Sequence, residues 1–149
     1  MFITSIKQLF INIVAKSEEL MDRLNVCVKE HTQLTALMTS FQDWITAFRD
    51  ETQTLAETVG EKAETRKKLT GFSDVLGKNE QGRGQLEEIL RLCAIVVSST
   101  SPRGCEILHK ITANLQEELD TLTSSLQEMK KNLEVRLMCI MIERFIAIE

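Results

Sequence analysis

The sequence predicts an all-α protein: an antiparallel up-down-up three-helix bundle with an N-terminal helical extension continuous with the first helix. The composition includes no Tyr, one Pro and six Gly in 149 residues, which favours helices over strands. Apolar residues recur with a helical period in three segments. The connections between these segments are short, and short connections make successive helices antiparallel.

The first predicted helix covers about residues 3 to 57 and follows a heptad seam of sixteen positions, thirteen of them apolar. A period of 3.5 residues held over this length indicates a long helix that packs against other helices. At ~1.5 Å per residue it would be about 80 Å long, more than a compact domain of this size needs. The seam consists of Ile3, Ile6, Phe10, Ile13, Ser17, Leu20, Leu24, Cys27, His31, Leu34, Met38, Phe41, Ile45, Phe48, Thr52 and Leu55.

The apolar stripe of this helix widens along its length. The positions just before the first residue of each heptad are charged upstream and apolar downstream. They are Lys16, Arg23, Glu30, Leu37 and Trp44. A narrow stripe suits contact with one helix, whereas a wider one suits a helix that faces two partners. We therefore expect the bundle to begin near Leu34 and its core to include Trp44.

The second predicted helix follows Gly60, the first Gly or Pro of the chain, and seven of its nine seam positions are apolar. Its middle contains four glycines, each of which costs about 1 kcal/mol relative to Ala in a helix. The segment 77–84 is therefore the weakest part of the helix, and the sequence leaves open whether the helix is continuous there. The seam consists of Leu69, Phe72, Leu76, Asn79, Arg83, Leu86, Leu90, Cys93 and Val97.

The segment Ser98-Ser99-Thr100-Ser101-Pro102 predicts the start of the third helix. Hydroxyl residues followed by Pro form an N-cap with Pro at the first helical position. Steps of four residues between Ile111, Leu115 and Leu119 interrupt the heptad of this helix. Its predicted apolar face consists of Leu108, Ile111, Leu115, Leu119, Leu122, Leu126, Met129, Leu133, Leu137 and Ile140.

The pattern divides the chain into three parts: a helical extension at 1–31, a three-helix unit at 32–137, and an apolar tail at 138–149 that continues the third helix. Both termini are rich in Ile, Met and Phe. Exposed apolar stripes of this kind favour association. We expect the termini to pack against adjoining units or, by self-association, against another copy of the chain.

Charge and hydropathy exclude several classes of function. The net charge is −4 and the one basic run, Arg66-Lys67-Lys68, is short, so the chain is a poor candidate for binding nucleic acid. The apolar run 137–142 ends at Glu143, far short of the roughly 20 residues of a membrane span. The four cysteines are widely spaced and no secretory signal precedes them, which predicts free thiols in a reducing compartment.

Two cysteine–histidine pairs are the strongest candidates for a metal site. Cys27 and His31, and likewise Cys105 and His109, are one helical turn apart, and an up-down-up bundle brings the two pairs to the same end. If the four side chains met, they would form a Cys₂His₂ zinc site. The alternative, which we favour, makes Cys27 and His31 seam residues and Cys105 a core residue. His109 then faces solvent, because it lies off the apolar face of its helix.

No other pattern predicts an enzyme. Glu106-x-x-His109 matches half of a helical di-iron motif, which needs a second copy and further carboxylates. The sequence contains neither a Gly-rich phosphate loop after a strand nor a nucleophile elbow. We therefore predict no catalytic residue, no cofactor and no bound metal.

The segment 32–137 resembles a spectrin repeat over about 106 residues. The motif Leu37-Met38-Thr39-Ser40-Phe41-Gln42-Asp43-Trp44-Ile45 resembles the family's first helix with its core tryptophan, and residues 111–122 resemble its third helix. The second tryptophan common in the family is absent, and Leu122 stands at the nearest position. The extension at 1–31 looks like the end of a preceding repeat.

The chain has few aromatic residues, many Thr and Ser, and glycines in its second helix. In these features it is most similar to repeats of the nesprins, the nuclear-envelope spectrin-repeat proteins. Dystonin-like and dystrophin-like repeats are alternatives. This resemblance implies a structural spacer and protein-interaction module of a cytoskeletal linker, in the cytoplasm at the cytoskeleton or the cytoplasmic face of the nuclear envelope. Its partners would be adjoining repeats and cytoskeletal or nuclear-envelope proteins. The calponin-homology pair and the membrane anchor of nesprins are missing, so actin or membrane binding would belong to a longer parent protein.

A second function stays open at this point. A three-helix bundle with apolar termini also resembles the regulatory bundle of syntaxins, which act in membrane traffic. That function needs a fusion helix and an anchor, and neither is present in the sequence.

Overall fold

The computed structural model describes residues 2–57 and 62–148, and these form three α-helices without a strand. Helix α1 is Phe2–Glu57, α2 is Lys62–Val97 and α3 is Pro102–Ile148. The predicted all-α three-helix fold is confirmed. The break predicted at Gly60 lies outside the described residues.

The core consists of two clusters that follow each other along the bundle axis. The upper cluster lies near the α2–α3 turn, and the lower cluster lies near the α1–α2 connection. Trp44 and Leu122 pack against both. The upper cluster contains Leu34, Phe41, Ile45, Leu86, Ile89, Leu92, Cys93, Val96, Leu115 and Leu119. The lower cluster contains Phe48, Phe72, Val75 and Leu126. This order makes α2 antiparallel to α1 and α3, which therefore run in the same direction.

The predicted seam of α1 is buried only in its second half. Leu34, Phe41, Ile45 and Phe48 are 2% exposed or less. In contrast, all side chains of residues 2–26 are exposed. This segment, the α1 extension, projects about 36 Å beyond the bundle at ~1.5 Å per residue.

The C-terminal part of α3 also runs past the bundle. Residues 134–147, the α3 extension, expose Val135, Met138, Ile142 and Phe145 among other apolar side chains. Because α1 and α3 run in the same direction, the two extensions project from opposite ends of the bundle.

Helix α2 is continuous through the segment 77–84, the point that the sequence left open. The predicted seam of α2 was wrong at Arg83 and Leu90, which are exposed, whereas Gly82 and Ile89 are buried instead. The buried stripe runs Phe72, Val75, Asn79, Gly82, Leu86, Ile89, Cys93 and Val96. The shift occurs because α2 lies between two helices, so residues on either side of its seam find a partner.

Gly82 packs against the indole of Trp44. A Cβ atom at position 82 would overlap the ring atoms Cη2 and Cζ3. The indole also stacks against Phe41, with ring centroids 5.8 Å apart, and against Phe48, with centroids 4.8 Å apart. The predicted core tryptophan therefore packs against both clusters and keeps part of its surface exposed.

The bundle buries a polar pair between the two clusters. Thr123 Oγ1 donates to Asn79 Oδ1 over 2.9 Å, and both residues are buried. A buried asparagine at a seam position fixes the register of neighbouring helices, because a shifted register would leave its amide without a partner.

The predicted apolar face of α3 was wrong at Ile111. This side chain is 39% exposed, while its neighbour Thr112 is 5% exposed and donates to the carbonyl of Leu108 over 3.0 Å. The buried stripe steps four residues from Leu108 to Thr112 and three more to Leu115, which turns Ile111 away from the core by about 100°. With Thr112 in place of Ile111, the steps from Leu108 to Leu119 are four, three and four residues, so the interruption of the heptad predicted from Ile111, Leu115 and Leu119 does not occur in the structure.

The predicted N-cap of α3 is confirmed. The Ser101 hydroxyl accepts a hydrogen bond from the Gly104 amide over 3.2 Å, and the Ser101 carbonyl accepts one from the Cys105 amide over 2.9 Å. Pro102 is the first residue of the helix.

Two glycine substitutions in α2 should change stability in opposite directions. Gly82→Ala forces the Trp44 ring to move, so we expect it to lower the free energy of unfolding by about 1–3 kcal/mol. Gly84→Ala meets no atom within 4 Å and should raise it by about 0.5–1 kcal/mol. Chemical denaturation measures both, and Gly77→Ala, also in open space, is a second control. Equal effects at positions 82 and 84 would contradict the close contact.

Candidate interaction surfaces

The cysteine–histidine pairs lie at the end of the bundle where α2 turns into α3. Cys105 Sγ donates to the carbonyls of Val97 and Thr100, over 3.4 and 3.6 Å. His31 Nε2 lies 3.3 Å from Thr100 Oγ1. The Cys105 thiol and the His31 imidazole, which a zinc ion would need as ligands, are therefore already hydrogen-bonded to residues at the α2–α3 turn.

The structure does not bring the four candidate zinc ligands together. His109 is exposed on α3, and so is Glu106 of the half di-iron motif. Within residues 2–57 and 62–148, no group of three or more His, Cys, Asp or Glu side chains is placed to hold a metal ion. The absence of a bound metal stays a prediction.

The four thiols differ in environment. Cys93 is buried in the upper cluster, Cys27 and Cys105 are half-buried, and Cys139 is exposed; all four are free. Burial raises the pKa of the Cys93 thiol, and the nearby Cys105 raises it further. Because the thiolate is the reactive form, Cys93 is poorly suited to act as a nucleophile or as a metal ligand.

A groove of about 600 Å³ separates α1 from α3 in the lower half of the bundle. Its walls carry small side chains, Thr52 and Ala56 on α1 and Thr121 and Ser125 on α3, which leave the space between the helices unfilled. The Arg49–Glu118 ion pair crosses the groove with 3.3 Å between Nη2 and Oε2. The two side chains are 49% and 39% exposed, so solvent screens the pair and it adds little to stability.

The groove was not predicted from the sequence, although a signal for it exists. Thr52 and Ala56 on α1, and Thr121 and Ser125 on α3, are pairs of small residues one helical turn apart. Pairs of that spacing line one face of a helix. Only the packing of α1 against α3 shows that the two faces oppose each other.

The two extensions are the most apolar surfaces of the described chain. Phe10 on the α1 extension is 68% exposed and Phe145 on the α3 extension is 69% exposed. A shallow depression of about 430 Å³ runs along the α3 extension, lined by Leu137, Met141 and their neighbours on the same helix. None of the described helices combines the length and the hydropathy that a bilayer crossing requires.

The chain is similar in sequence to part of a known protein. No protein-family model and no solved structure matches the chain. The muscle-specific protein 300 kDa of Drosophila melanogaster is 32% identical to it over 124 residues, which is 83% of this chain. The chain spans about 1% of the length of that relative. The sequence is therefore similar to a small part of a much longer muscle protein.

The thiols should react with a maleimide in the order of their exposure. Cys139 should be modified first, Cys27 and Cys105 more slowly, and Cys93 last, because burial both blocks the Cys93 sulfur and raises its pKa. Mass spectrometry of peptides from a labelling time course gives the four rates. The unfolded chain in denaturant, where the four rates should converge, is the control; a Cys93 that reacts as fast as Cys139 in the folded protein would contradict the predicted order.

Proposed function

We propose that this chain is a structural repeat of a spectrin-repeat cytoskeletal linker, which spaces and docks other proteins. The observation that carries the proposal is the path of α1 and α3. Each runs without a break from the bundle into an extension, and the two extensions leave at opposite ends. A unit built in this way can be joined to others in a line through continuous helices.

The mechanical argument follows from helix geometry. In a helix, every residue away from the ends is fixed by backbone hydrogen bonds, so a join inside a continuous helix bends less than a loop. The apolar side chains of both extensions would pack against adjoining repeats, as the buried half of the α1 seam packs within this bundle.

The relative supports the coarser part of the proposal. Similarity to 1% of the length of a very long muscle protein is what a single unit of a long array would give. The finer part is a nesprin-like role, in which the parent protein links the nucleus to the cytoskeleton at the cytoplasmic face of the nuclear envelope. It rests on the few aromatics, the many Thr and Ser and the glycines of α2. The proposed partners are adjoining repeats and cytoskeletal or nuclear-envelope proteins.

The proposal assigns no catalytic activity to the chain. The candidates for chemistry have structural roles here: Cys105 and His31 bond to the α2–α3 turn, and Cys93 fills the core. Trp44, the predicted core tryptophan, packs between Phe41 and Phe48.

A syntaxin-like regulatory bundle is the second candidate, and the exposed apolar side chains of the α1 extension favour it. A helix of this kind can lie in the interface of a membrane. This candidate predicts binding to lipid vesicles that depends on residues 2–13, which the structural repeat does not require.

The three-helix unit should fold without the α1 extension. Residues 2–26 are exposed, so a fragment of residues 27–149 should keep the melting temperature of the full chain to within about 5 °C. Calorimetry measures this, and a matched fragment that starts at residue 45 and loses Leu34 and Phe41 should not fold. A melting temperature more than about 10 °C lower for the first fragment would show that the unit is not an independent module.

The chain should be elongated and should not bind lipid. Small-angle X-ray scattering should give a maximum dimension of at least about 80 Å, because α1 alone is 56 residues long. Co-sedimentation with vesicles of anionic and neutral lipid should leave it in the supernatant. Vesicle binding that is lost on removal of residues 2–13 would favour the syntaxin-like function over the structural repeat.

A further inference from the structure

We propose that Ser101 is a phosphorylation site for proline-directed protein kinases. The site lies in the turn that connects α2 to α3, and it consists of Ser101 and the proline that follows it. The inference goes beyond the proposed function, because a structural repeat does not require a covalent modification. It rests on three observations: the position of Ser101 outside the helices, the bonding of the neighbouring hydroxyls, and the exposure of the Ser-Pro pair.

The turn contains the hydroxyl side chains that are not held within a helix. Among the hydroxyl residues of 2–57 and 62–148, only Ser98, Ser99, Thr100 and Ser101 lie outside the helices. A helical segment has its backbone groups already paired, so it enters an enzyme cleft only after local unfolding. Ser101 directly precedes Pro102, and a residue in that position favours an extended backbone. Extended backbone is the form in which a kinase cleft binds its substrate.

The other three hydroxyls of the turn are engaged by α2. Ser98, Ser99 and Thr100 each donate to a carbonyl of the last turn of α2, over 2.7–3.1 Å. Ser101 has a different role, because its oxygen accepts a hydrogen bond from the Gly104 amide over 3.2 Å. Of the four hydroxyls, Ser101 is therefore the one that a kinase reaches without breaking a side-chain bond to α2.

Pro102 supplies the recognition element. Proline has no backbone amide, so a kinase pocket for the following residue can be apolar without leaving a donor unpaired. Any other residue at this position would bury an amide without a partner, which is the basis of selection for proline. Pro102 and Arg103 are both exposed, and residues 94–105 contain no acidic side chain that would repel a nucleoside triphosphate.

A kinase has to draw out only the first turn of α3. The first amides of a helix have no intrahelical partner, so few bonds hold this turn. The bonds that end at Ser101 are those from the Gly104 amide to its hydroxyl and from the Cys105 amide to its carbonyl, over 3.2 and 2.9 Å. The Ser-Pro pair can therefore enter a cleft while the core of the bundle stays folded.

Phosphorylation changes the charge at the start of α3. Ser101 Oγ attacks the γ-phosphorus of ATP, and a new P–O bond forms as the bond to the β,γ-bridging oxygen breaks. ADP leaves, and the catalytic base of the kinase takes up the hydroxyl proton. The product carries a charge of about −1.5 to −2 at pH 7. Because negative charge is stabilised at the first turn of a helix, we expect the melting temperature to rise by about 1–4 °C.

The modified turn lies beside α1. His31 Nε2 is 3.3 Å from Thr100 Oγ1, so the turn packs against α1 shortly after the α1 extension ends. Phosphorylation of Ser101 would therefore place negative charge at the end of the bundle from which the α1 extension projects.

The first test is phosphorylation of the folded full chain by a purified proline-directed kinase with ATP. Peptide mass spectrometry should find one phosphate, at Ser101. Its rate should be within about tenfold of that for a synthetic peptide of residues 95–107, since helix ends open at little cost. Pro102→Ala should slow the reaction at least about tenfold, because it adds an amide that the cleft leaves unpaired. Ser99→Ala, which removes a hydroxyl from the same turn, is the matched control and should leave the rate unchanged.

The second test is the chain expressed in cultured eukaryotic cells in which proline-directed kinases are active. Phosphopeptide mapping should find phosphate at Ser101, and an inhibitor of these kinases should remove it. Calorimetry of the chain phosphorylated in the first test should give the higher melting temperature, compared with the same preparation after phosphatase treatment.

Four results would overturn the proposal. A folded chain that stays unmodified would show that the turn is not accessible, and equal rates with and without Pro102 would show that the proline is not recognised. A phosphate on another hydroxyl of the turn in place of Ser101 would contradict the bonding argument. The absence of phosphate at Ser101 in the cells would exclude the modification there. None of these results bears on the structural repeat, whose tests measure folding and shape of the unmodified chain.

Discussion

The contact between Trp44 and Gly82 is the constraint on which the bundle depends. The indole bridges the upper and lower clusters, and it reaches α2 only because position 82 has no side chain. The cost of a glycine within a helix, about 1 kcal/mol, is offset by the burial of a large aromatic surface. The buried bond between Asn79 and Thr123 lies one helical turn away and fixes the register of the same region.

This close approach of α1 and α2 shapes the rest of the bundle. Helix α2 packs closely on both other helices, whereas α1 and α3 carry small side chains where they face each other and leave the groove between them. The protein is therefore held together through its middle helix. The two extensions continue α1 and α3, which are the helices that border the groove. An array of such units would therefore be joined through two helices that make few contacts with each other inside each unit.

Most of the fold could be predicted from the sequence, and the surfaces only in part. The α1 seam from Leu34 to Phe48 and the Ser101 cap followed from spacing and residue type alone. Arg83 and Ile111 were misplaced, because a heptad identifies a stripe but does not say on which side of that stripe a third helix packs. The zinc hypothesis required Cys27 and Cys105 to meet, and spacing along two separate helices cannot fix that distance.

The sequence by itself determined that the chain forms three helices, that the third begins at Pro102, and that the first is longer than its bundle. These features depend on local periodicity and capping, which a single helix expresses without its neighbours. Only the tertiary structure decided that the glycine at position 82 is a packing site for Trp44, that the segment 77–84 stays helical, and that the two extensions project from opposite ends. The physical reason is that each of these depends on the distance and direction between helices, which side-chain packing sets and a linear pattern does not record.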